Sequence, residues 1–247
     1  REALAGLDSG TPQLPRGGCG QAGRVSFALD RRMHSMLVAL AQRCGTTTFV
    51  VLHSAVALLL HELGAGDRFT IGATVALRDR SELTDVFGLL VNTVALPSGV
   101  DLERSFAELV TRTHANDVEA LQHSNVEFDA VVEALNPDRW PDRTPWIDVL
   151  ITMGVGDKDF VSDYGAHGAS GATLLLPGLP VTGQYPTPMP TARFPLTFAV
   201  TERFEGESPA GLLGALEYSD RVGGLQGERL VERLERLLTQ VLSRPDT

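Results

Sequence analysis

IGATVALR (Ile71–Arg78) and GLLVNTVAL (Gly88–Leu96) decide how this chain is read. The first belongs to a β-branched, apolar run, Phe69–Leu77, with the character of a buried strand. The second predicts a shorter strand, Val91–Leu96, expected to end at Pro97 because proline brings no N–H to a ladder. Around this pair, helices and strands interleave without a strict βαβ rhythm. That pattern predicts an α/β sandwich built on a mixed sheet.

Upstream, residues 1–23 are rich in Gly and Pro and read as a linker or loop entering the domain. Val25, Phe27 and Leu29 alternate as a half-buried strand does. Asp30 caps a helix whose apolar face is Met33, Met36, Leu37, Leu40 and Cys44, stopped by Gly45. Thr46 or Thr47 opens a second helix, apolar nearly all round, that runs through Leu63 to Gly64 and belongs in the interior.

Downstream, residues 102–122 form an amphipathic helix, and Phe128, Val131, Val132 and Leu135 mark a short one. Ile147–Met153 is a strand, and the Gly-rich stretch 154–173 reads as a loop. Strands return at Phe194–Thr201 and Leu212–Tyr218. A final helix carries Leu230, Val231, Leu234, Leu237, Leu238, Val241 and Leu242 on one stripe. Residues 24–243 therefore make one body, with 244–247 as a tail.

The composition narrows the function classes. At 247 residues with 43% hydrophobic side chains, the chain can bury a large core. A net charge of −10 argues against a nucleic-acid partner, which needs a basic face to displace counterions. No apolar run is long enough to span a membrane, and no secretory signal is visible, so a cytoplasmic setting is expected. Cys19 and Cys44 fit no metal spacing.

Familiar catalytic patterns fail one by one. His61-Glu62 opens like a zinc-protease helix, but Ala65 stands where the second histidine must project. GASG (Gly168–Gly171) lacks the spacing of a nucleophile elbow. His53, inside an apolar helix, reads as a hydrogen-bonded core histidine rather than a catalytic one. His34 and His114 read as solvent-facing, and His167 lies in the Gly-rich loop.

With HSNVEFD (His123–Asp129) and RWPDRTPW (Arg139–Trp146), the two opening stretches form an ordered set. This set resembles the C-terminal half of nonribosomal peptide synthetase condensation domains. Gly72, Ala76 and Arg78 match the family's I-G-x-P-x-A-x-R, with Thr74 in the proline position. Gly88, Val91, Asn92 and Thr93 match G-x-F-V-N-T. His123, Val126 and Phe128 match H-Q-D-V-P-F-E, with Glu127 in place of proline. Arg139, Arg143 and Pro145 match R-D-x-S-R-N-P-L. Where many members carry Gln-Asn after the strand at Val149–Met153, this chain has Gly154-Val155.

The resemblance implies one lobe of the two-lobed, chloramphenicol-acetyltransferase-like fold. In that family an amine attacks a thioester in a tunnel between the lobes, and carrier proteins deliver both substrates on phosphopantetheine arms. No cofactor is bound directly. The catalytic histidine belongs to an H-H-x-x-x-D-G motif of the N-terminal lobe, and none of the six histidines here is paired with another. The chain is therefore expected to be inactive without that lobe, and to self-associate through the face the lobe would cover. Expected partners are the N-terminal lobe, donor and acceptor carrier proteins and neighbouring synthetase domains. The alternatives are a non-catalytic recruitment module of the same fold and, third, an epimerisation domain.

Three residues are candidates to face the tunnel. Asn92 has two readings: a carboxamide serving the substrate, or a side chain fixing the turn into its strand. Arg78 and Arg143 either bind a pantetheine phosphate or carrier acid, or form structural ion pairs. His123 reads as a helix-junction residue.

Overall fold

The computed structural model describes residues 20–77, 81–83, 85–88, 90–136, 143–156, 173–176, 179–182, 190–222 and 226–247. β1 (Ala22–Leu29) leads into α1 (Arg31–Arg43) and α2 (Thr48–Glu62). β2 (Arg68–Ala76) and β3 (Val91–Gly99) follow, then α3 (Phe106–Leu121) and α4 (Phe128–Leu135). β4 (Val149–Gly156), a small hairpin of β5 (Thr173–Leu176) and β6 (Leu179–Thr182), β7 (Leu196–Glu205), β8 (Ser208–Ser219) and α5 (Gly227–Ser243) complete the order.

The six-stranded sheet runs β1-β8-β7-β4-β2-β3. β4 lies parallel to both β2 and β7, and the remaining pairs are antiparallel, so the sheet is mixed as the element pattern predicts. Its register aligns one apolar row, Val25–Leu216–Phe198–Ile151, under the helices. α1, α2 and α5 pack against one another and cover this face. Phe27 lies across Gly214, where an added Cβ would sit 2.1 Å from the ring. Only glycine admits the ring there.

Packing outweighs propensity in α2. Its opening turns are rich in Thr, Phe and Val, each costing about 0.5 kcal/mol relative to alanine in a helix. Every residue from Val50 to Ala57 is buried, and burial of each large side chain is worth about 1.5–3 kcal/mol. Burial wins. Thr47 supplies the cap, its side chain accepting from the Val50 N–H.

Several expectations need correction. β1 begins at Ala22, inside the stretch read as a linker, because it pairs with β8 down to Ser219. β3 does not stop at Pro97 but reaches Gly99. It is an edge strand, and the Pro97 carbonyl faces outward to the Asn116 amide at 3.3 Å, so the missing N–H costs no ladder bond. α3 starts at Phe106 rather than Leu102, because Ser105 and Glu108 form a reciprocal capping box. Gly154–Gly156 belongs to β4, held by parallel pairing to β7 as far as Arg203. Residues 157–172 of the predicted loop lie outside the described residues. The tail is docked: the Ala107 N–H donates to the Pro245 carbonyl at 2.8 Å, and Arg43 pairs with Asp246.

Candidate functional site

β2 and β3 are the arms of one hairpin, so the two opening motifs lie side by side. Thr74 pairs with Thr93 and Val75 with Asn92. Gly72 sits at the centre of β2, where a Cβ would stand 2.6 Å from Ile147 Cγ2. The motif glycine is thus required by the residue that leads into β4. Gly88, in the connection between the strands, has open space around its Cα and plays no such part.

Asn92 stands where β3 meets the α3–α4 connection. Its Nδ2 donates to the carbonyls of Ser124 and Val126, both at 2.7 Å. Its Oδ1 accepts from the N–H groups of Thr93 and Phe128, at 2.9 and 3.3 Å. Both ends of the carboxamide are committed to backbone. The geometry therefore supports the structural reading of Asn92, enlarged: it joins a strand, a turn and the first residue of α4. Phe128 enters the clamp through its backbone N–H. Val91 and Thr93 flank the clamp, and His123 is exposed on the turn below it, its carbonyl accepting from Val126 N at 3.0 Å.

Arg143 forms an ion pair. Its Nη2 and Nε reach the two carboxylate oxygens of Asp148 at 2.5 and 3.2 Å. Between them the chain turns tightly through Pro145 and Trp146, which adopts φ 60 while remaining buried. The Trp146 carbonyl accepts from Thr70 Oγ1, tying this strained turn to β2. Arg78 and Arg139 lie outside the described residues.

Among the described residues, two histidines are fully buried. His34 was expected to face solvent; instead its Nδ1 accepts from the Gly211 N–H and its Nε2 donates to Glu202 Oε1 at 3.1 Å. Glu202 occupies a helix-facing position of β7, in line with Leu212 and Leu29, so α1 must bring it a polar partner. The sequence signal is the spacing of His34, three residues from Leu37 and seven from Ala41, which puts it on the buried face of α1. His114, also expected in solvent, is half-buried and bonded to Thr46 Oγ1 at 2.9 Å.

His53 is the hydrogen-bonded core histidine expected, and its partners were not. Nδ1 meets Asp117 Oδ2 at 3.0 Å and Nε2 meets Ser98 Oγ at 2.8 Å. Ser, His and Asp in that order suggest a nucleophilic triad, but Ser98 is 7% exposed, and its hydroxyl also lies within 3.3 Å of the Leu96 carbonyl. An acceptor stands where an oxyanion needs donors. No hydrolysis can be run there.

Several large apolar side chains are exposed. Phe87 is 106% exposed, with Val86, Val91, Val118, Leu121 and Val126 also exposed around the β2–β3 connection and the end of α3. Among the described residues no group of three or more His, Cys, Asp or Glu side chains is placed to hold a metal ion, and no single helix is long and apolar enough to cross a membrane.

The condensation-domain family model matches residues 12–247. A probable non-canonical nonribosomal peptide synthetase of Salinispora arenicola is 33% identical over 226 residues, covering 91% of this chain and 3% of its own length. The solved X-domain in complex with OxyB, from teicoplanin biosynthesis, superposes with a TM-score of 0.83 at 27% identity, covering 100% of this chain and 52% of that one. The first condensation domain of the CDA synthetase superposes at 0.70 with 18% identity, over 100% and 50%. The chain thus spans a small fraction of that curated relative and about half of each of these solved chains.

Proposed function

The chain belongs to the condensation-domain family, and from that premise we propose that it is the C-terminal lobe of such a domain, one wall of a passage in which an amine meets a carrier-bound thioester. The carrying observation is coverage: the whole chain superposes on about half of the solved X-domain and of the solved CDA condensation domain. The second half is the partner that must bring the paired-histidine motif. Amide formation needs a neutral, aimed amine and donors for the developing oxyanion. In this lobe Asn92 shapes the wall by holding β3 against α4, and Arg143 fixes the entry to β4. Arg78 is the residue proposed to reach a pantetheine phosphate or an acidic carrier surface. Donor and acceptor carrier proteins and neighbouring synthetase domains are the proposed partners, phosphopantetheine the proposed carrier arm, and the cytoplasm the proposed location.

The test is reconstitution. The chain alone, given loaded donor and acceptor carrier proteins, yields no amide product; joined to a complementary half bearing the histidine motif, it does. Turnover by the chain alone would overturn the proposal.

One observation favours a second reading. The superposition on an X-domain solved with OxyB reaches a higher TM-score, 0.83, than that on the condensation domain, 0.70. That X-domain is in complex with a second protein, which supports a reading of this lobe as part of a recruitment module. An assembled domain that binds a partner enzyme but forms no amide would select that reading.

A further inference from the structure

β3 has a neighbouring strand on one side only, and its inward positions run Val94, Leu96, Ser98, with Val100 just beyond. Such alternation forbids a slip of one residue, which would turn the apolar set to solvent. It does not forbid a slip of two, which keeps every apolar side chain inside. The one inward position of this row that is not apolar is Ser98, and it faces the fully buried imidazole of His53.

We propose that His53 is a positioning residue that selects the register of β3 and thereby places Asn92. With Nδ1–H donated to the Asp117 carboxylate, Nε2 accepts from the Ser98 hydroxyl at 2.8 Å, which shares its one proton with the Leu96 carbonyl at 3.3 Å. A slip of two residues would bring Leu96 or Val100 before Nε2 and leave a buried acceptor unpaired. The same slip would move Asn92 by about 7 Å along the strand, out of reach of Ser124, Val126 and Phe128. α3 is bound into the arrangement from the other side. Among the described residues Asp117 Oδ1 is buried without a hydrogen-bond partner, and His53 is the group that engages this carboxylate. His53 thus links α2 to both α3 and β3, beside the backbone-directed bonds from Arg112 to the Gly99 carbonyl and from Asn116 to the Pro97 carbonyl, and the clamp at the far end of β3 shares the register so set. The inference holds whether the lobe serves condensation or recruitment.

Hydrogen exchange on the full chain tests it at the Thr93 and Phe128 amides, both bonded to Asn92 Oδ1, with β7 and β8 amides as internal reference. In His53→Leu, protection at Thr93 and Phe128 should fall about tenfold or more relative to the reference strands. In His53→Gln, which can still donate to Asp117 and accept from Ser98, it should recover. Unchanged protection in His53→Leu, or a uniform loss across the whole sheet, overturns the proposal. Should His53→Leu not fold, Ser98→Ala removes one oxygen and carries the test: selective loss at Thr93 and Phe128 supports the proposal, and wild-type protection there overturns it.

Discussion

At the residue scale, the positions that matter most are those whose side chains leave no room or no bond to spare. Gly72 is one. Gly72→Ala drives a methyl to 2.6 Å from Ile147 Cγ2, and overpacking of this kind costs about 1–3 kcal/mol. Ile147→Ala alone leaves a cavity and costs about 2–5 kcal/mol, whereas the double variant should cost less than the sum of the two. Denaturant unfolding of the three variants measures this, and strict additivity would contradict the contact. Asn92 is the other. Asn92→Ala removes two donations and two acceptances and should cost about 2 kcal/mol of stability. In a reconstituted domain, amide formation should fall in step with the folded fraction; loss of turnover with full stability would instead show a direct role for the carboxamide.

At the element scale, two helix carboxylates respond to pH in opposite senses. Glu108 is held below its ordinary value chiefly by the Ser105 backbone N–H, then by the Ser105 hydroxyl. Its share of the α3 cap is therefore complete above the usual carboxylate range and is lost as pH falls through the depressed value. Ser105→Ala should cost about 1 kcal/mol at neutral pH, with the difference from wild type shrinking in acid. Glu235, on α5, is raised by partial burial and then by the charge of Glu232. A raised carboxylate opposes folding once ionised, so Glu235→Gln should gain about 0.3 kcal/mol at neutral pH and nothing below the carboxylate range. Thermal melts at two pH values distinguish the two signs.

On the scale of the whole molecule, the exposed apolar residues around Phe87 and the end of α3 are the feature to explain. A lobe that meets another lobe there should associate with itself when alone and lose that association when joined. Sedimentation of the chain at rising concentration, with and without a complementary half, measures it. Phe87→Ser together with Val126→Ser should weaken self-association while leaving the melting temperature unchanged, because neither side chain contributes to the core. A strictly monomeric chain at high concentration would count against a lobe interface at this face.

Sequence alone determined what depends on local periodicity and on ordered motifs: the alternation of Val25, Phe27 and Leu29, the all-round apolar α2, the stripe of α5 and the family likeness. The first three are each written within one element, where side-chain spacing follows the period of helix or strand, and the likeness is written in the order of its motifs. The tertiary structure decided what depends on partners far along the chain. His34 is buried because Glu202 lies beneath α1, β3 passes Pro97 because it is an edge strand, and Asn92 holds backbone because α4 starts beside it. No local pattern records which distant donor will face a given acceptor. That pairing exists only once the sheet order has placed α2, α3 and β3 together.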